Sequence, residues 1–235
     1  RISWEMFPFF PLSDENSTGR FIPFLTIGFI LVCCGLFFFE FVGGEPRQNA
    51  MLGLALVPAN LFYPDHQVSL SPWVTTVTYA FLHADAMHLL GNMLLFWIFA
   101  DNIEYAFGRI CFVVFLAAGA IFASIFHALT DMSSAIPLVG ASGAGSAILG
   151  AYFRLYPKAI ITVISPFFPF HMTMEIRAYW FLVMGVILDI AGIFQDTDAE
   201  VESIAFVAHV AGFLFGFVTG RLLRKNFCSY DYIHE

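Results

Sequence analysis

The sequence predicts an all-α polytopic membrane protein, a bundle of six transmembrane helices, and three observations carry that prediction. Hydrophobic residues make up 59% of the 235-residue chain and charged residues only 12%, about half the charged share with which a soluble domain covers its surface. Mean hydropathy is +0.79, and the apolar residues are gathered into stretches long enough to be spans rather than alternating with polar ones. The basic residues, finally, partition to one side of a six-span topology.

Residues 1–20, with Pro8, Pro11, Asp14, Glu15 and Asn16, read as an interfacial N-terminal arm, and no cleavable signal pattern precedes the first span. Span one covers 21–42, about 22 nearly uncharged residues, enough at about 1.5 Å each to cross a hydrocarbon core of about 30 Å. Residues 43–71 are too mixed and too rich in proline for a simple turn and read as a structured loop at the interface. Span two, 86–106, carries His88, Asn92, Asp101 and Glu104. Span three covers 110–129. Span four, 142–156, is short for a crossing and ends at Pro157 and Lys158; a loop follows through Pro166 and Pro169 to Arg177. Span five covers 178–194 and span six 204–223, leaving 226–235 as a tail. The six spans form one membrane domain over 21–225. No internal repeat is visible, which weighs against the duplicated architectures of many transporters.

A cytoplasmic N-terminus puts every Lys and Arg except Arg47 on the cytoplasmic side, as positive-inside asymmetry requires, so both termini are expected in the cytoplasm. The net charge of −8 belongs to loops. No basic stripe, zinc-like spacing or glycine-rich phosphate loop is present, so nucleic acid is not an expected partner and no cofactor or metal is expected. Cys33, Cys34, Cys111 and Cys228 lie in or beside apolar segments and read as buried thiols.

The chemistry-bearing residues gather toward the outer surface. Ser142, in Gly140-Ala141-Ser142-Gly143, reads as either a close-packing helix start or an exposed nucleophile. Counting from Arg154 places it about 12 Å beneath the outer surface of the core. His209, counted from Val201 on another span, also falls about 12 Å deep. Small residues offer a way to join them: Ala208, Gly212, Gly216 and Gly220 in span six, and Ser142, Ser146 and Gly150 in span four, recur every four residues, and such stripes let helices approach closely. If the stripes face each other, His209 sits near Ser142; the alternative is ordinary packing with His209 bonded to a backbone carbonyl. His88 and Asn92, at i and i+4, share a helix face and suit interhelical hydrogen bonds or donors to a developing oxyanion. His83 reads as a structural hydrogen-bonder and Trp73 as an interfacial anchor. Asp189, about 9 Å from the outer end, reads as a snorkelling or hydrogen-bonded structural residue, with orientation of His209 as the alternative. His66, His127 and His171 fall at loops or span ends, where solvated or interfacial roles are expected.

Three motifs in this order, His88-Leu89-Leu90-Gly91-Asn92, Gly140-Ala141-Ser142-Gly143 and Ala208-His209-Val210-Ala211-Gly212, resemble those of the rhomboid intramembrane serine proteases of the bacterial six-span type. The likeness covers most of the chain and extends to the arm Pro11-Leu12-Ser13-Asp14-Glu15-Asn16, to Phe81-Leu82-His83, and to Glu104 with Gly108. It departs at Val74, which follows Trp73 where family members often carry Arg. The resemblance implies a serine endopeptidase with a dyad of Ser142 and His209 and no acid required. His88, Asn92 and the Ser142 N–H would serve as oxyanion donors, with Gly140 and Gly143 supporting the motif. It implies transmembrane protein substrates within the lipid bilayer, and the bacterial plasma membrane as location. A non-catalytic relative that binds or scaffolds membrane helices is the alternative. A transporter would need a midplane site, which the polar groups do not form.

Overall fold

The structure is a computed structural model that describes residues 10–16, 21–44, 51–63, 71–164, 173–194 and 200–224. His66, His171, Cys228 and the tail 226–235 lie outside the described residues. In chain order the elements are β1 (Phe10–Asp14), α1 (Phe24–Gly43), the short helices α2 (Pro58–Phe62) and α3 (Pro72–Thr78), α4 (Ala86–Phe107), α5 (Arg109–Thr130), α6 (Ser142–Leu155), β2 (Ile160–Ile164), β3 (Thr173–Arg177), α7 (Ala178–Ile193) and α8 (Glu200–Leu223).

Among the described residues, four helices are long and apolar enough to cross a membrane: α1, α4, α5 and Phe206–Leu223 of α8. The expected spans one, two, three and six fall on them. The segments expected as spans four and five form the shorter helices α6, of 14 residues, and α7, of 16 residues. Helix α6 occupies the centre, with Gly143 to Ile148 and Gly150 to Tyr152 buried. Its small side chains are what permit this. An alanine methyl at Gly212, Gly216 or Gly220 of α8 would meet Gly143 O, Ala147 O and Ala151 respectively, so the two backbones touch, as small-residue interfaces allow. On α6, Ser146 and Gly150 of the row expected from spacing face α8: Ser146 Cβ lies 3.3 Å from the Gly212 position and a methyl at Gly150 would strike Phe213 O, whereas the Cβ positions of Gly143 and Ala147 meet Ala123 and Gly119 of α5.

Helix α4 is one element with a π-turn at Phe96–Ala100, an extra residue that shifts the helix face between its two halves. Below the turn, the fully buried Glu104 accepts from the N–H groups of Leu25 (3.2 Å) and Thr26 (2.9 Å) and from Thr26 Oγ1 (2.8 Å). These are first-turn donors of α1, which have no intrahelical acceptor. A carboxylate from a neighbouring helix therefore caps the first span.

The all-helical expectation holds for most of the chain but missed a sheet. Strands β1, β2 and β3 form a three-stranded antiparallel sheet in that order, with Asp14 opposite Ile161 and Ile160 opposite Arg177. The central strand buries Ile161 and Val163 in the core, while β1, on the edge, tolerates Pro11 and a register shift before Ser13. Asp14 Oδ2 accepts from Tyr152 Oη (2.6 Å), near the end of α6, and from Asn102 Nδ2 (3.0 Å) of α4. Burial raises the Asp14 carboxyl above the ordinary aspartate range, and those hydrogen bonds offset part of the rise. The cysteine expectation also needs correction: Cys33 is a buried thiol, but Cys34 is exposed and Cys111 is disulfide-bonded.

Candidate active site

Ser142 is the first residue of α6. A helix start leaves its leading N–H groups without intrahelical acceptors and carries partial positive charge. The chain reaches this point through Gly140 at φ 121°, a conformation that a side chain strongly disfavours. The Gly140 N–H donates to Tyr79 O (3.0 Å), and the buried Tyr79 hydroxyl donates to Ala120 O of α5 (3.1 Å). Upstream, Leu138 and Leu56 exchange two backbone hydrogen bonds (2.7 and 3.2 Å), so the structured first loop clasps the segment that delivers the serine.

Helix α4 supplies the opposite wall. Asp85 caps it by accepting from the His88 N–H at 2.8 Å, which fixes His88 in the first turn, with Asn92 one turn on. Both are buried, and His88 Nε2 and Asn92 Nδ2 have no protein hydrogen-bond partner. A Cβ at Gly140 would lie 2.5 Å from His88 Nε2 and 3.8 Å from Asn92 Nδ2. Both nitrogens therefore gather over the backbone that leads into Ser142. Unpaired buried donors carry a desolvation cost of about 1–3 kcal/mol each; atoms a substrate oxygen could meet would repay it.

His209 belongs to the same level. Helices α6 and α8 run parallel, with Gly143 against Gly212, Ala147 against Gly216 and Ala151 against Gly220. By this register Ser142 stands opposite Ala211, so His209, three residues before Gly212 and hence on the same helix face, falls within about one turn of the serine. The profile described as "Rhomboid domain" matches residues 71–226, a stretch that contains every one of these side chains.

The chain belongs to the rhomboid family.

It is also similar to the "Rhomboid protease AarA" of Providencia stuartii, at 24% identity over 206 residues covering 82% of this chain and 69% of that protein. Family and apolar helices together make the chain an integral membrane protein. Within this rhomboid, several residues take places that the sequence offered only as an alternative or did not assign. His209 Nδ1 lies 3.1 Å from Asp189 Oδ1 on α7, so Asp189 is paired with the histidine itself. His83 packs edge-on against His88 with ring centroids 5.2 Å apart. Burial, with His88 adding to it, pushes the His83 imidazole down to about 4, and the Phe81 backbone and Asp85 pull weakly the other way. It is a neutral ring backing His88. Tyr79, a brace for both Gly140 and the α5 backbone, gave no signal beyond an aromatic near a span end. Trp73 is exposed, while His127, expected to be solvated or interfacial, is buried in the last turn of α5 and so is not solvated.

Proposed function

We propose that this rhomboid is an intramembrane serine endopeptidase that cuts transmembrane segments of membrane proteins near the outer side of the bilayer. The observation that supports it best is the convergence on Gly140 to Ser142: a helix-start serine, a histidine level with it through the α6–α8 register, and two unpartnered donors overhead. In this reading Ser142 Oγ attacks the scissile carbonyl carbon while His209 takes the hydroxyl proton. His88 Nε2–H, Asn92 Nδ2–H and the Ser142 N–H hold the oxyanion. His209 then passes the proton to the leaving amide nitrogen. A water molecule, deprotonated by the same imidazole, attacks the acyl-enzyme and restores the serine. Hydrolysis requires water at the site, so this reading requires a cavity open to the outer face.

The same reading makes residues 21–225 a six-span membrane domain, with α6 and α7 as the fourth and fifth crossings, both termini cytoplasmic and the bacterial plasma membrane as location. Substrate helices must unwind to expose the scissile carbonyl, which in a regular helix is hydrogen-bonded. The test is cleavage of a reporter transmembrane substrate by purified protein in lipid, with fluorophosphonate labelling alongside. Ser142→Ala and His209→Ala should each abolish cleavage, and Ser142→Ala should abolish labelling. Full turnover by either variant overturns the proposal. A wild-type protein that neither cleaves nor labels would instead fit a helix-binding scaffold.

A further inference from the structure

The dyad implied by the family needs no acid, yet this chain places one against its histidine. Asp189 Oδ1 is 3.1 Å from His209 Nδ1, and the two side chains are only 26% and 15% exposed. An ionised carboxylate can only accept, so the contact requires a proton on Nδ1 and leaves Nε2 as the ring nitrogen able to take a proton. The placement is supported one turn away. Gly192, three residues after Asp189 on α7, lies against the Phe206 ring so closely that an added methyl would strike it. Phe206, three residues before His209 on α8, meets the imidazole edge-on at 6.2 Å between centroids. Helices α7 and α8 thus cross with Asp189 on His209 and Gly192 on Phe206, and the crossing sets both the position and the tautomer of the ring.

Building on the serine endopeptidase reading above, we infer that Asp189 is a positioning residue that holds His209 with its proton on Nδ1 and Nε2 ready to act as general base. Asp189 touches neither substrate nor reacting atoms and acts through His209. The arrangement converges on the carboxylate–imidazole–hydroxyl logic of soluble serine hydrolases, where the acid orients the ring without itself being protonated. Here the acid comes from the helix after the nucleophile's helix rather than from a loop.

The experiment uses the full chain in lipid. Asp189→Asn keeps the size of the side chain and removes its charge. We expect kcat to fall about ten- to a hundredfold, the weight of one hydrogen bond to a charged group, with KM within about twofold. Fluorophosphonate labelling of Ser142 should slow in parallel, and the thermal midpoint should be unchanged. In wild-type protein with labelled histidine, His209 should show an Nδ1–H proton resonance well downfield of the amides; this measurement needs no variant and covers the case in which Asp189→Asn fails to fold. Wild-type kcat in Asp189→Asn overturns the inference, as does a loss of activity that only tracks a fall in thermal midpoint, or a His209 ring found protonated on Nε2 alone. Were Ser142→Ala or His209→Ala to remain active, the endopeptidase reading itself would fail. Inactivity of those two beside an unimpaired Asp189→Asn would remove only the present inference.

Discussion

Gly140→Ala tests whether the backbone leading into α6 and the imidazole of His88 are fitted to each other. A methyl group there would lie 2.5 Å from His88 Nε2 and 2.6 Å from its Cε1, so the ring must withdraw by about 1 Å to reach ordinary contact. Asp85 holds the His88 backbone at the helix start, so the displacement falls on the side chain. Misplacement by about 1 Å costs on the order of a hundredfold in rate, and loss of one oxyanion donor costs about a hundred- to a thousandfold. The expected fall in kcat is therefore about a hundredfold, or roughly 2.7 kcal/mol of transition-state stabilisation. The backbone, at φ 121°, adds about 1–3 kcal/mol of destabilisation. Gly28→Ala is the control: α1 is helical there and no atom lies within 4 Å of the added methyl. It should leave activity unchanged and match or exceed wild-type stability by up to about 1 kcal/mol. Cleavage of the reporter substrate gives the rate and thermal unfolding in micelles gives the stability. A Gly140→Ala protein that cuts at the wild-type rate would mean that His88 has no part in the reaction or that the loop relaxes freely.

Two further outcomes concern stability. Glu104→Gln exchanges one acceptor oxygen for an amide donor facing the α1 N–H groups; the orphaned donor and the lost charge at a helix N-terminus should together cost about 2–4 kcal/mol. A variant within about 0.5 kcal/mol of wild type in denaturant titration would show that the cap contributes little. His83 has its folded-state pKa depressed from 6.5 to about 4 by burial, with His88 adding to it, so the unfolded chain binds the extra proton first. Its stabilising contribution is fully present above about pH 6.5 and is lost as pH falls toward about 4. The thermal midpoint should fall through that window, less steeply in His83→Gln; equal slopes would assign the acid sensitivity to other groups.

The sequence made the helices legible because span length and helix-breaking residues act locally: the fourth span, expected over 142–156, is the helix Ser142–Leu155. Likewise, i and i+4 spacing alone put His88 and Asn92 on one face. The small-residue stripes pointed to the packing of α6 on α8, and Ser146 and Gly150 of the expected row face that partner; the neighbouring row, Gly143 and Ala147, is equally small because it packs on α5. What was missed depends on distant pairing. Strand β1 finds β2 across 150 residues of chain, and no periodicity in a five-residue strand announces that. Glu104 stands in the sequence as an acid within span two and part of the family likeness, and its partners Leu25 and Thr26 lie 79 and 78 residues earlier in the chain. Asp189 reads from sequence first as a structural residue, with orientation of His209 as the alternative, and only the crossing of α7 and α8 decides for the histidine.

The shortness of α6 has a consequence for how this protein senses its lipid. At about 1.5 Å per residue, its 14 residues reach only about 21 Å, well below a typical hydrocarbon thickness of about 30 Å. A lipid-facing helix of that length would suffer mismatch, yet α6 is walled in by other helices and tied near its far end to the edge strand through Tyr152 and Asp14. Bilayer thickness can therefore tilt the outer helices without directly pulling on the one that bears Ser142. The depth of the serine is set from within the protein, so membranes of different thickness should change how a substrate helix is presented more than where the serine sits.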